Sequence, residues 1–331
     1  MPDRTKTEKF DMNGNRKSRT LRALACVAAC LSLIGLGNAR ADDAGMSKDP
    51  AAALQARYAA LKEELGDNPF HRPLHMDSTQ GPDGVKGEIN ALVDHPFATV
   101  RATLAKAAPW CDILILHLNI KYCRPSTDSR ATVLHVAIGK KYDQPVDDAY
   151  RVDLVYRVAT TTANFLQVKL DADQGPLGTS NYRIVLEAVP AEGGRTFIRL
   201  SYSYSYGVLG RLAMQSYLGT IGRNKVGFTV LGADPHGQPR YIGGMRGVVE
   251  RNTMRYYLAV EAFLGALSTP EPARVEKSLG DWFAAIEGYP RQLHELERGE
   301  YLDMKRREYS RQQMQVVAAP PPLPGALTTI R

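Results

Sequence analysis

The sequence is poor in the features that most often identify a protein. It contains no G-x-S-x-G elbow, no G-x-x-x-x-G-K-[ST] phosphate loop and no G-x-G-x-x-G fingerprint. The usual motif signals for acyl transfer and nucleotide binding are therefore missing. Only four cysteines and two tryptophans occur in 331 residues, and no internal repeat is visible. Past the first forty residues no stretch is apolar enough to span a bilayer,. Proline (20) and glycine (28) stay near their ordinary shares, which excludes collagen-like and wholly disordered chains,. The formal charge of +7 is unevenly spread. Residues 1–41 hold eight Lys/Arg against three Asp/Glu, a net +5, and leave only +2 for residues 42–331. A near-neutral body without a basic stripe argues against a nucleic-acid partner.

What is present begins with an address. Arg4, Lys6, Lys9, Arg16, Lys17, Arg19 and Arg22 precede an uncharged run from Ala23 to Gly37, and Ala39-Arg40-Ala41 supplies small residues at a cleavage position. That order predicts a secretory signal over residues 1–41, cut between Ala41 and Asp42, and a periplasmic or secreted mature protein, with an uncleaved anchor as the alternative. Cys26 and Cys30 leave with the signal, so the mature chain keeps Cys111 and Cys123. In an oxidising compartment an isolated pair is expected to be bridged, with two separately buried thiols as the alternative.

Residues 42–84 read as an N-terminal helix from Pro50 to Gly66, capped by Asp49, followed by a linker holding a short strand near Leu74. Residues 85–233 carry the fold signal. Val85–Asp94 reads as a strand broken by His95-Pro96, and from Phe97 a helical pattern follows. Strands are expected over Ile113–Tyr122, Thr132–Ile138, Tyr150–Val158, Phe165–Leu170, Tyr182–Val189 and Phe197–Tyr206, with Glu192-Gly193-Gly194 joining the last two. A helix over Val208–Asn224 closes the set. Residues 240–315 turn helical: one apolar stripe runs through Val249, Thr253, Tyr256, Val260 and Phe263, a second helix ends at Ile286, and Pro290–Gln313 reads as a polar, surface-exposed helix. Residues 316–331 are Pro-rich and expected to be extended or disordered. The class is α+β.

The segment GEINALVDHPFATVRATLAKAAPW resembles the opening of the START-like, polyketide-cyclase and lipid-transport superfamily. RTFIRLSYSYSYGVLGRLAMQSYLGTIGRNK resembles its last strand and long closing helix. The resemblance covers about residues 85–230 and rests on order and pattern. It implies a helix-grip fold: a curved antiparallel sheet closed by a long helix that walls a cavity, here with extra N-terminal and C-terminal helices.

Within that frame three features are candidates for binding. Alternation along Phe197–Tyr206 puts Tyr202, Tyr204 and Tyr206 on one face and Arg199, Ser201, Ser203 and Ser205 on the other. The tyrosine face reads either as a cavity wall or as plain core. Gly207, Gly210, Gly219, Gly222 and Gly227 in and around the next helix fit either room for a ligand or close packing on the sheet. Arg251 and Arg255, one turn apart, repel each other and should meet an acidic partner, either a carboxylate of the START-like domain or the phosphate or carboxylate of a ligand, unless both are simply solvated. His71 and His75 make an H-x3-H pair that Pro73 keeps from a helix, so no metal is expected. His95, His117 and His135 read as structural, although Asp94 with His95 or Asp112 with His117 would make a dyad on paper. The expectation is an exported protein that binds or carries an amphiphilic, lipid-like small molecule without a cofactor, with membrane-surface contact in reach. The rivals are a cavity enzyme of cyclase or hydrolase type and an envelope-interaction protein with a filled core.

Overall fold

The computed structural model describes residues 49–207, 225–271 and 273–318. The expected signal with its Ala41–Asp42 cleavage point, the helix expected over Val208–Asn224 with its three glycines, and the tail after 318 lie outside the described residues.

Helix α1 (Pro50–Gly66) starts where the sequence places it: the Asp49 side chain accepts from the Ala51 N–H at 2.9 Å, and Pro50 sits in the first turn,. Strand β1 (Leu74–Gln80) follows and pairs antiparallel with β2 (Gly84–Val93), so the sheet begins inside the stretch read as linker. Helices α2 (Phe97–Leu104) and α3 (Ala108–Leu114) come next. They lead to β3 (Ile120–Thr127), β4 (Thr132–Ile138), β5 (Tyr150–Thr161), β6 (Leu166–Gln174), β7 (Thr179–Pro190) and β8 (Thr196–Tyr206). The order β1-β2-β8-β7-β6-β5-β4-β3 is antiparallel throughout. Six strands run as consecutive hairpins and return to β2, while α2 and α3 carry the chain between opposite parts of the sheet. Between β7 and β8, Gly193 and Gly194 sit at φ of 70° and 71°, which is why this turn needs glycine,.

One expected strand is corrected. Ile113–Tyr122 is not a strand: Ile113 and Leu114 end α3, and extended structure starts only at Ile120. Ile113 through Leu116 are all buried, and a short apolar run buried on every side gives no period to read,. Strand β3 then runs through Pro125, which an edge strand tolerates because one side of its backbone needs no ladder partner,.

Past a small hairpin, β9 (Val230–Ala233) with β10 (Pro239–Tyr241), the chain forms α4 (Gly244–Gly265), α5 (Ala273–Glu287), the short α6 (Pro290–Leu293) and α7 (Arg298–Ala318). Helix α4 packs on β2, β1 and β8. Its approach is close at Gly87, where an added Cβ would collide with the Thr253 hydroxyl. The opposite face of β8 is covered at one end by α1, where Tyr58 packs on Phe197 with ring centres 5.0 Å apart. The helix expected at the surface over Pro290–Gln313 is also corrected. It breaks after Leu293, and α7 buries Tyr301, Lys305, Glu308 and Gln312 at one residue per turn, with Leu302 and Met304 beside them,. Both tryptophans are fully buried and their indole N–H groups find carbonyls, Trp110 that of Leu104 at 2.9 Å and Trp282 that of Arg255 at 3.1 Å,.

Candidate functional site

Between the sheet and α4 lies a partly enclosed cavity of about 130 Å3. Strands β4, β5 and β7 supply apolar lining (Val136, Val152, Ile184), and the polar and aromatic part comes from His117, Tyr182, Tyr202, Asn252 and Tyr256. Alternation explains the sheet's share: Ile184 and Tyr202 are direct cross-strand partners and face the same side,. Helical spacing explains the rest, since Asn252 and Tyr256 are one turn apart on α4.

The aromatic rings form one continuous stack. His117 lies on Tyr256 with ring centres 4.8 Å apart at 27°, Tyr256 meets Tyr202 at 5.2 Å, and Tyr182 stacks on Tyr204 at 5.3 Å and 13°. Of the three tyrosines singled out on β8, Tyr202 lines the cavity. Tyr204 is the next ring outward, and Tyr206 donates its hydroxyl to the Gly81 carbonyl at 3.2 Å. Burial raises the pKa of Tyr182, Tyr202, Tyr204 and Tyr256, so all four stay neutral,.

His117 is the residue that sequence reasoning undervalued. It is 2% exposed, and its Nδ1 accepts the Asn119 backbone N–H at 3.1 Å. A neutral ring must then carry its proton on Nε2, and that atom is buried with no aligned hydrogen-bond partner,. Burial holds the ring well below the usual histidine range, and Arg255, Lys305 and Lys141 push it further down, with Asn252 pulling weakly the other way,.

Behind His117 stands a group of buried charges. Arg255, 1% exposed, donates to the Glu295 carboxylate at 2.9 Å and to the Leu293 carbonyl at 3.2 Å, and its Nη1 is 3.4 Å from the Asn252 side-chain oxygen. The carboxylate that meets this arginine comes from the C-terminal helical region and not from residues 85–233, where it was expected. Lys225 reaches the same carboxylate at 3.1 Å, and Lys141 is bonded to it as well. Burial would raise Glu295, but Lys141, Arg255 and Lys225 more than offset this and bring it down to about 2. Lys141 is lowered to about 8 by burial and by Arg255. Arg251 is equally buried and donates to the Val226 carbonyl at 3.1 Å. Beside these, Glu308 of α7 takes Lys121 at 3.0 Å and Lys305 at 2.7 Å, and none of the three side chains is exposed. Lys305 also donates to the carbonyls of His117 and Ile120, both at 2.8 Å.

The remaining candidates separate. Cys111 and Cys123 form a disulfide, Cα atoms 5.2 Å apart, tying α3 to β3. His71 is exposed at φ 53°, while His75 bonds Asp77 at 2.9 Å and Glu64 at 2.5 Å; among the described residues no cluster could hold a metal. Asp112 is raised to about 6 by burial and by Glu271, and His117 bonds the Asn119 amide instead of forming the paper dyad. His95 is half-buried beside an exposed Asp94. His135 links Ser126 (2.8 Å) and Asp153 (2.7 Å), but the row stands half-exposed to water, which competes for each bond. Gly227 packs tightly on Glu250, whose carboxylate accepts from the Phe228 and Thr229 amides. Among the described residues no helix is long and apolar enough to cross a membrane.

No family model matches the chain, and no curated protein matches it. Solved structures similar to it include a conserved protein from Geobacillus kaustophilus, 15% identical, covering 42% of this chain and 85% of that one with a TM-score of 0.29. Truncated norcoclaurine synthase from Thalictrum flavum is 13% identical over 44% of this chain and 91% of that one, TM-score 0.31. Human StAR-related lipid transfer protein 5 is 10% identical over 51% and 88%, TM-score 0.28. At such scores the fold reading rests on the α+β class, the eight-stranded antiparallel sheet and the helix packed on it.

Proposed function

We propose that this is an exported binding or carrier protein for a small amphiphilic molecule, held by its ring-sized apolar part between the sheet and α4. The observation that carries the reading is the cavity itself, with His117 Nε2–H buried in its wall and no aligned acceptor. A buried donor left unpaired costs about 1–3 kcal/mol, which a ligand's acceptor atom would recover. A cavity of about 130 Å3 is close to the roughly 150 Å3 that admits benzene in an engineered protein core,. It is small for a whole sterol or phospholipid, so the site recognises one end of its ligand.

Catalysis is the weaker reading because of the direction of the shifts. General acids and bases work best with pKa values near the operating pH. Here burial drives His117 down and Tyr182, Tyr202 and Tyr256 up, away from neutrality in every case. A merely structural protein has no use for the cavity or the unmet donor. Export is supported by the signal-like leader and by the Cys111–Cys123 bridge, which an oxidising compartment preserves,. Native mass spectrometry of protein purified from its own envelope tests the reading. A bound small molecule released on denaturation is expected, together with a polypeptide mass that begins at Asp42. Ligand-free protein, with a melting temperature that no ring-sized compound raises, would refute it.

A further inference from the structure

The other face of the sheet carries a second constellation, away from the cavity. Alternation along β4 turns Leu134 and Val136 into the core and leaves His135 on the open face,. There His135 lies directly across from Arg124 of β3 and Asp153 of β5, and Ser126, two residues past Arg124, shares that face. The bonds run in a chemically specific order. Asp153 Oδ1 is 2.7 Å from His135 Nδ1, and His135 Nε2 is 2.8 Å from Ser126 Oγ. A carboxylate only accepts, so in a neutral ring the proton sits on Nδ1 and Nε2 is left to accept the serine proton. That is the tautomer a base beside a serine nucleophile needs. The row is exposed (47% at His135, 67% at Asp153), so it adds at most about 1 kcal/mol to stability,. The same exposure lets a substrate and the hydrolytic water reach Ser126 Oγ. An open groove of about 780 Å3 runs from His135 and Asp153 past Arg151, Arg157 and Asp171. Its volume is that of a small-molecule site, and its charged lining suits a polar substrate. Arg124 is half-buried, and no described residue forms a hydrogen bond or ion pair with it.

We infer that Ser126, His135 and Asp153 form a nucleophilic triad that hydrolyses a small, polar carboxylic ester on the open face of the sheet. This activity is separate from ligand binding in the cavity and does not rest on it. In the first step Ser126 Oγ bonds to the ester carbonyl carbon while its proton passes to His135 Nε2. The bond to the leaving alkoxide then breaks, and that oxygen takes the proton from Nε2, leaving an acyl-serine and an alcohol. Water repeats the sequence on the acyl-serine and releases the acid, so no further reactant is needed. Asp153 is a positioning residue that holds the His135 tautomer. Arg124 supplies the positive charge opposite the developing oxyanion.

The test uses two probes on the full chain: diisopropyl fluorophosphate, read by intact mass and peptide mapping, and p-nitrophenyl acetate, read by nitrophenolate release. One phosphoryl adduct per chain is expected, on Ser126, with loss of fluoride. Ser126→Ala should abolish both the adduct and the acetate turnover. His135→Gln should slow both by at least about a hundredfold, the lower end of what a positioned base contributes. Asp153→Asn should lower kcat and keep KM, and Arg124→Gln should slow acylation by at least about tenfold. Ser129→Ala, in the exposed turn between β3 and β4, should change neither probe. Because the triad side chains are exposed, each variant should melt with the parent protein. No adduct, an adduct on any other residue, or Ser126 labelling that survives His135→Gln would overturn the triad and leave an exposed hydrogen-bonded row. An acylation rate unchanged by Arg124→Gln would overturn the part given to that arginine.

Discussion

Replacing Glu308 with glutamine keeps the volume and one acceptor oxygen but removes the negative charge that two buried lysines share. Lys121 lies 3.0 Å and Lys305 2.7 Å from that carboxylate, with no side-chain exposure at any of the three. Breaking a buried pair by removing one partner costs about 3–5 kcal/mol, against a total stability of about 5–15 kcal/mol. The loss must also depend on pH. Burial already lowers Lys305 to about 8 although Glu308 pulls it up, while an unfolded lysine titrates near 10.4,. Between those values the unfolded chain holds a proton that the native state has released, so native stability rises with pH over that window. Without Glu308 the folded-state pKa falls further. Below pH 8 the variant therefore bears a penalty that the parent does not, and above pH 8 both have shed the Lys305 proton. Urea unfolding followed by tryptophan fluorescence, which reports on the buried Trp110 and Trp282, should show the full loss at pH 6 and a clearly smaller one at pH 9. A loss under about 1 kcal/mol at pH 6, the size of a surface ion pair, or a loss that grows toward pH 9, would refute the reasoning.

Further outcomes follow from other contacts. Cys111→Ser with Cys123→Ser should destabilise by up to about 3 kcal/mol, because the bridge closes a loop in the unfolded chain; an unchanged urea midpoint would argue against it,. Arg255→Ala should lower the stability of ligand-free protein by about 1.5–3 kcal/mol, since Glu295 keeps Lys141 and Lys225 after losing it; melting without ligand decides this,. Tyr204→Ala, at a 4% exposed ring stacked on Tyr182, should cost about 3–5 kcal/mol, whereas Tyr202→Phe should fold well and change the affinity for benzyl alcohol,. Comparing the two by urea unfolding and titration separates core from wall along one strand.

Much of the sheet was legible because its strands alternate. Thr132–Ile138 was placed to the residue, and the Tyr202 face pointed inward as its parity required,. The Cys111–Cys123 bridge was the preferred of two readings, from the leader-like first 41 residues and the two cysteines that remain after them,. The C-terminal part was harder, for physical reasons. On α7 the inward stripe reads Tyr301, Lys305, Glu308, Gln312, which a polarity rule assigns to solvent, because only contact with β3 and the loop before it shows that each polar group has a partner,. The Lys305–Glu308 spacing was the signal available in the sequence, but the same spacing is common on exposed helices. His117 was hidden similarly. Its importance depends on an orphaned Nε2 and on cations brought in from α4, α7 and the loop after β4, contacts that lie more than a hundred residues away for Arg255 and Lys305. Arg255 was expected to meet an acid, and its partner Glu295 sits in the bend after α6, which no periodicity announces.

The most direct measurement of the central claim is an NMR titration with benzyl alcohol that follows histidine and tyrosine ring resonances. Ring-sized binding between the sheet and α4 predicts saturable shifts at His117, Tyr202 and Tyr256, with the exposed Tyr142 and Tyr150 unchanged as references. Shifts confined to the exposed tyrosines, or no saturable shift at His117, would contradict it.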